Sequence, residues 1–387
     1  MRKGGEVLRR FLWLCLCIAT NAVAEESPGP RLVQEDVRIP AAGGKYSIAA
    51  TILRPEGAGP HGAVVLNHGT PGSASGRARE SSELLINAAA VFARRGYVVV
   101  MPLRRGFGAT GGEFAEDPGS CADPDYRRGE NAAADDVMAA YDYARTLPYV
   151  DGRRMLLAGQ SAGGIVSMYA AGTRNPEGLL AVLSFAAGRG GNPDFRPGVP
   201  CAVEPVAKLL ESIGKSTRVP VLLHYAENDL YFNAQTSRLW YERFSGAGAR
   251  AEYVLQPAFG RDGHYIFSEV LGVRYWLPAV EQFLGRHGIA FERLDAAQPL
   301  VAVDRLPHAS SDACRNLYRA FLEAPGPRAY AVSGDGRCGF AGGLADAADV
   351  AVRECRTNAR EPCSLYAVDS DLVWAPDGKG TAYAGGK

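Results

Sequence analysis

One short stretch constrains the whole chain. Residues 154–168 read RMLLAGQSAGGIVSM. Residues 155–158 form a short apolar run, which predicts a buried strand. The run meets Gly159-Gln160-Ser161-Ala162-Gly163, and a helical pattern follows. G-x-S-x-G between a strand and a helix places its serine on a turn so sharp that the backbone is strained. Neighbours without a Cβ let strand and helix pass each other. The hydroxyl is then lifted above the sheet edge, at the positive end of a helix. A glycine-rich turn without chemistry is the plainer alternative, but the strand and helix on either side favour a nucleophile.

Apolar runs elsewhere predict strands at 63–66, 97–101, 180–187, 219–225 and 251–256, with an alternating strand at 45–55. Helical periodicity covers 82–95, 131–147, the stretch after Ser161 to 171, 233–244 and 265–287. Strands and helices alternate, so the expected fold class is α/β: a mostly parallel sheet with helices on both faces. Residues 188–218, rich in Pro and Gly and holding one short amphipathic helix at 205–213, read as a lid or cap over the site. The pattern lapses at 293–311 into a linker. Residues 312–375 read as a small Cys-rich α+β domain, and 376–387 as a disordered tail.

The N-terminus reads as a removable leader. Arg2, Lys3, Arg9 and Arg10 precede an apolar run at 11–20, and Ala22-Val23-Ala24 offers a small-x-small cleavage site. Residues 1–24 are thus a secretory signal peptide. The run is too short to span a bilayer, and no stable membrane anchor is expected. The domain that carries the site is then 25–292. Formal net charge is zero and no basic stripe exists, which argues against nucleic acid as a partner.

Of eight cysteines, Cys15 and Cys17 lie in the leader. The even remainder, Cys121, Cys201, Cys314, Cys338, Cys355 and Cys363, suggests disulfides in an oxidising compartment. A zinc site is disfavoured, because no C-x-x-C pair exists and no histidine sits near the late cysteines. Cys121 and Cys201 lie in the two segments expected to overhang the site, where a bridge would brace the lid. The four late cysteines permit three pairings. Cys355–Cys363 across a short connection, leaving Cys314–Cys338, is the favoured one.

A serine needs a base, and the base needs an orienting group. In a strand–elbow–helix setting the chain order is Ser, acid, His. Among six histidines, His264 follows the last strand and is the candidate base. Asp229, at the tip of the strand that ends YAEND, is the candidate acid, with Glu227 and Asp262 as rivals. Glu227 is also a candidate substrate contact, and Asp262 a turn-shaping residue. The oxyanion hole calls for backbone N–H groups. Ala162, after the nucleophile, supplies one, and Thr70 of the His68-Gly69-Thr70 loop is preferred for the other. His68 is expected to orient that loop. Arg104 or Arg105 is a candidate for a substrate carboxylate, against the plainer reading of a salt bridge that pins the glycine turn.

NHGTPGS at 67–73, RRGFGATGG at 104–112, GQSAG at 159–163, YAEND at 225–229 and GRDGH at 260–264 together resemble the α/β-hydrolase family, in particular its dienelactone-hydrolase-like and prolyl-oligopeptidase-like branch. The resemblance covers residues 35–290. It implies ester hydrolysis through an acyl-enzyme, with attack by Ser161, proton transfer by His264 and orientation by Asp229. It implies no metal and no cofactor. Strict dienelactone hydrolases carry a cysteine nucleophile, where this chain has Ser161. The expected function is therefore an exported, periplasmic or secreted serine esterase acting on a small ester. A peptidase with the same machinery is the nearest alternative. Peptidases of this branch carry an N-terminal propeller, and only residues 25–60 precede the first core strand. A binding protein with a vestigial hydrolase scaffold is the alternative from another class. The small domain would then contact envelope material or protein, whereas packing on the larger domain is its plainer role.

Overall fold

The computed structural model describes residues 32–292, 294, 306, 311–324, 326–344, 346–357, 359–369 and 371–372. The expected leader 1–24, nearly all of the linker 293–311 and the tail 376–387 lie outside the described residues.

The larger sheet has eight strands: β1 (Leu32–Ala41), β2 (Tyr46–Pro55), β3 (His61–Asn67), β4 (Tyr97–Pro102), β5 (Val150–Gln160), β6 (Leu179–Phe185), β7 (Val221–Ala226) and β8 (Ala251–Gln256). Their order is β1-β2-β4-β3-β5-β6-β7-β8. The β1–β2 and β2–β4 pairs are antiparallel, and the remaining pairs are parallel. The inner strands β3, β4 and β7 are buried almost throughout, because helices cover both faces. The helices are α1 (Ala74–Ala78), α2 (Ile86–Ala93), α3 (Tyr126–Thr146), α4 (Ala162–Arg174), α5 (Val203–Gly214), α6 (Ala234–Gly246) and α7 (Val273–Arg286). Side chains of α3 to α6 fill the core on one face, and those of α2 and α7 fill it on the other.

Three expectations need correction. Strand β1 was not expected. Its half-exposed alternation at a sheet edge leaves no apolar run to read. The expected helix over 265–287 begins only at Val273. Residues 263–265 and 270–272 form two 3-10 turns instead. A Cβ on Gly272 would fall 1.6 Å from the Ile266 carbonyl oxygen, so the chain is curled tightly here. The lid expected over 188–218 is shorter. Helix α5 buries Val206, Ala207, Leu209, Leu210 and Ile213 in the core. It is the crossover from β6 to β7, and only 188–202 is free to overhang.

The second sheet is antiparallel, in the order β10-β9-β11-β12: β9 (Arg328–Ser333), β10 (Cys338–Gly342), β11 (Cys363–Val368) and β12 (Asp371–Leu372). Helix α9 (Ala347–Arg356) covers one face, against Ala329, Ala331 and Leu365. Helix α8 (Asp312–Glu323), not read from the sequence, covers the other face with Tyr318 and Phe321 against Tyr330 and Tyr366. Cys314–Cys338 and Cys355–Cys363 are bridged. Arg95 of the larger domain joins the two units, pairing with Glu281 at 2.9 Å and Glu323 at 3.3 Å. Among the described residues no helix is long and apolar enough to cross a membrane.

Candidate active site

The sheet order reverses around β3. The chain leaves β3 for β4 on one side and returns to β5 on the other. Loops at the carboxyl ends of strands on either side of such a reversal enclose the usual ligand crevice. Here they are the loop after β3, the turn after β4 and the elbow after β5.

Ser161 has φ 57° and ψ −124°, a strained conformation for a residue with a Cβ. Its neighbours explain the glycines. A Cβ on Gly163 would fall 2.1 Å from the Asn67 carbonyl oxygen, and one on Gly159 would fall 2.4 Å from the Gly163 backbone. The Ser161 N–H is held by the Phe185 carbonyl at 2.9 Å. The β3–β5 register pairs Asn67 with Gly159 and brings the loop after β3 against the elbow.

Asp229 follows the end of β7 and is 2% exposed. Its Oδ1 accepts the N–H groups of Tyr231 (2.8 Å) and Phe232 (2.9 Å). Both carboxylate oxygens lie 3.1 Å from His264 Nδ1. That partner fixes the proton on Nδ1 and leaves the other ring nitrogen, Nε2, able to accept one. Asp262 Oδ1 accepts the N–H groups of His264 and Leu230, each at 3.0 Å, so it shapes the turn as expected. Gln160 Nε2 donates to the His264 carbonyl at 2.6 Å and ties that turn to the residue before the serine. No hydrogen bond joins the Ser161 hydroxyl to the His264 ring among the described contacts. Such bonds commonly form or tighten only with substrate in place.

Ala162 is the first residue of α4, so its N–H has no partner within the helix. Thr70 stands in the loop beside it, and both residues line a cavity of about 790 Å³ with Ser161. Phe114, Cys121, Arg189, Phe195, Cys201 and Tyr231 are among its other walls. Cys121 and Cys201 are bridged, joining the loop before α3 to the 188–202 segment.

His68 orients its loop. Its Nε2 accepts the Arg104 N–H at 3.2 Å, so Nδ1 donates to the Gly69 carbonyl at 2.6 Å. Burial, with the Arg104 guanidinium adding to it, holds this imidazole down to about 3, and the ring is neutral.

The three candidate substrate contacts need correction: none lines the cavity. Arg104 is fully buried, paired with Glu116 and bonded to the His68 carbonyl at 2.9 Å. Arg105 turns away to Asp136 (2.8 Å) and the Ala132 carbonyl (2.9 Å). Glu227 is exposed beyond the strand end. The two arginines pin their glycine turn, the plainer of the two readings.

Several residues of the site were not singled out from the sequence. Gln160 is the variable position of the pentapeptide itself. Tyr231 stacks on the His264 ring at 4.0 Å between centroids. Glu116, Glu130 and Arg189 form buried ion pairs beside the cavity. Burial would raise Glu116, but Arg104 and Arg189 hold it down to about 2. Burial raises Glu130 against the pull of Arg189. The signal for Arg189 was a lone cation directly after the apolar strand LSFAAG.

Residues 85–184, from the start of α2 to β6, match the model of the prolyl oligopeptidase family. Among curated proteins, none matches the chain. Among solved structures, the chain is similar to a Klebsiella pneumoniae subsp. pneumoniae protein provisionally called a dienelactone hydrolase. Identity is 17%, covering 66% of this chain and 99% of that one, with a TM-score of 0.47. It is similar to acylaminoacyl peptidase from Pyrococcus horikoshii at 15% identity over 68% of this chain, TM-score 0.47, spanning only 42% of the peptidase. It is also similar to acetyl xylan esterase from Paenibacillus sp. R4 at 16% identity, covering 69% and 86% of the two chains, TM-score 0.47. A mostly parallel sheet wound in this order, with a strained serine on the turn after its central strand, is the α/β-hydrolase fold, and residues 85–184 within it resemble the prolyl oligopeptidase family.

Proposed function

We propose that the protein is an exported serine hydrolase that cleaves carboxylic esters through an acyl-enzyme. The observation that carries this reading is the Asp229–His264 pair, with both carboxylate oxygens 3.1 Å from Nδ1 and the turn bonded to the residue before Ser161. Ser161 Oγ attacks the ester carbonyl while His264 Nε2 takes its proton. Asp229 keeps Nδ1 protonated and stabilises the imidazolium. The N–H groups of Ala162 and Thr70 receive the oxyanion. His264 returns the proton to the leaving alcohol, and a water activated by the same nitrogen releases the acid.

A small ester fits better than a protein chain. The cavity is of small-molecule size, and a disulfide joins two of its walls. The family match over 85–184 favours a peptidase as the second reading. Three disulfides support an oxidising compartment, and so export. The small domain, whose described residues line no part of the cavity, packs on the hydrolase rather than binding its substrate.

A fluorophosphonate probe, followed by nitrophenyl esters of increasing chain length beside peptide anilides, tests the proposal. Labelling at Ser161 with short esters cleaved fastest is expected. Faster anilide cleavage would establish the peptidase reading. No labelling and no turnover of either class would overturn both.

A further inference from the structure

Beside the cavity lies a group of buried charges that the acyl-transfer scheme does not use. Arg104, Glu116, Glu130 and Arg189 come from the turn after β4, the loop before α3, helix α3 and the segment after β6. Arg104 pairs with Glu116, and Arg189 reaches Glu116 at 3.0 Å and Glu130 at 2.6 Å. None of the four side chains is more than 8% exposed. Burying two ion pairs costs desolvation that apolar residues of the same volume would avoid. Stability alone is therefore a poor reason for them.

What the group holds is the loop after β3. Arg104 binds it through the His68 carbonyl and the His68 ring. At its other end the Thr70 hydroxyl donates to Glu116 Oε2 (3.3 Å) and accepts from Arg189 Nη1 (3.2 Å). One hydroxyl thus has both its donor and its acceptor role taken by opposite charges that are themselves paired. Gly69 precedes Thr70 and Pro71 follows it, so on its N-terminal side the residue has no neighbouring side chain to fix it. The Thr70 N–H itself has no acceptor among the described contacts. The residue before Arg189 also meets the elbow: the Gly188 N–H donates to the Ser161 carbonyl at 3.3 Å.

We infer that the Glu116–Arg189 pair is a positioning device for the oxyanion hole: it grips the Thr70 hydroxyl and so aims the Thr70 N–H at the reacting oxygen. The inference rests on the serine-hydrolase reading above. A donor that wanders by about 1 Å can cost on the order of 10²-fold in rate. An oxyanion donor acts in the transition state, so its loss falls on kcat and kcat/KM equally.

The test compares Thr70→Val, which removes the hydroxyl but not the bulk, with Thr70→Ser, which keeps the hydroxyl. A short nitrophenyl ester is the substrate, and fluorophosphonate labelling is followed in parallel. Thr70→Val is expected to lower kcat and kcat/KM together by about tenfold or more, with KM nearly unchanged. Labelling of Ser161 should be slower but still complete. Thr70→Ser should recover most of the rate. Arg189→Lys keeps the charge but lacks the fork that reaches two acids and a hydroxyl at once. It should lose kcat as well, which covers the case of a Thr70→Val protein that does not fold. Wild-type kcat in folded Thr70→Val, a loss confined to KM, or no rescue by serine would overturn the positioning role. A wild-type protein that neither labels nor turns over would overturn the hydrolase reading and the inference with it.

Discussion

The two sheets of this protein solve the same problem differently. The eight-stranded sheet is closed on both faces by helices, and side chains such as Trp240, Trp276, Phe92 and Tyr141 are fully buried there. Its one disulfide, Cys121–Cys201, is not in that core but at the cavity wall. The four-stranded sheet has a core of alanines on one face and tyrosines on the other. Both of its disulfides run from a helix to a strand, and Cys314, Cys355 and Cys363 are buried. A large apolar core needs no cross-link, so its covalent bond is free to shape a site. A small core gains several kcal/mol from each bridge.

That contrast can be broken in four ways. The largest effect belongs to Ser161→Ala. It should abolish fluorophosphonate labelling and lower ester turnover by on the order of 10⁴-fold or more, while the stability of the small unit stays the same. Retained turnover would remove the nucleophile from the scheme. Next come the small unit's bridges. Replacing Cys314 and Cys338 by Ser should destabilise it by about 3.5 kcal/mol, and Cys355 with Cys363 by about 2.5 kcal/mol, from the loops they close. Protease nicking within 311–372 measures the loss. Ester kcat/KM should not change, and a fall would mean that the small unit supports the site.

A third way to break the contrast is acid. Burial holds His68 and His224 both down to about 3, and both His224 nitrogens lack a partner. The unfolded chain protonates them near pH 6.5. Their folded values are depressed, so this stability is fully present above about pH 6.5 and declines as the pH falls towards 3. The slope is about 1.4 kcal/mol per pH unit for each histidine. Residues 311–372 contain no histidine, so the limb belongs to the larger domain alone. Melting followed between pH 7 and pH 4 should show it, and His224→Leu should lower the slope by about 1.4 kcal/mol per pH unit. An unchanged slope would place the acid sensitivity elsewhere. The smallest effect is at the cavity wall. Cys121→Ser with Cys201→Ser should raise KM for long-chain esters by a few fold more than for acetate esters. Equal changes across the series would show that the bridge does not shape the acyl end of the cavity.

Much of the larger domain was legible in the sequence because its inner strands are buried on both faces. Such strands appear as plain apolar runs, as at 63–66 and 97–101. Edge strand β1 was not legible, since a half-wet strand has no such run. The overlong helix at 265–287 failed for a different reason. Apolar spacing cannot show that Gly272 packs on the Ile266 carbonyl, which curls the chain ahead of the helix. Helix α5 was read as part of a lid because its amphipathic face does not say what it packs against. In the structure its partners are α6, α4 and α3, within the core on that face of the sheet.

Local chemistry, by itself, determined the elbow, the order of serine, acid and histidine, and the need for glycine at 159 and 163. Each follows from covalent geometry or from a chain order that a few neighbouring residues display. The tertiary structure alone decided which arginines face a ligand and which face an acid. Arg104 and Arg105 look alike in the sequence as candidates for a carboxylate, yet both are taken by Glu116 and Asp136. Arg189, which drew no notice, stands at the cavity. The charge of a side chain is written in the sequence. Whether that charge is available depends on partners that distant segments bring to it.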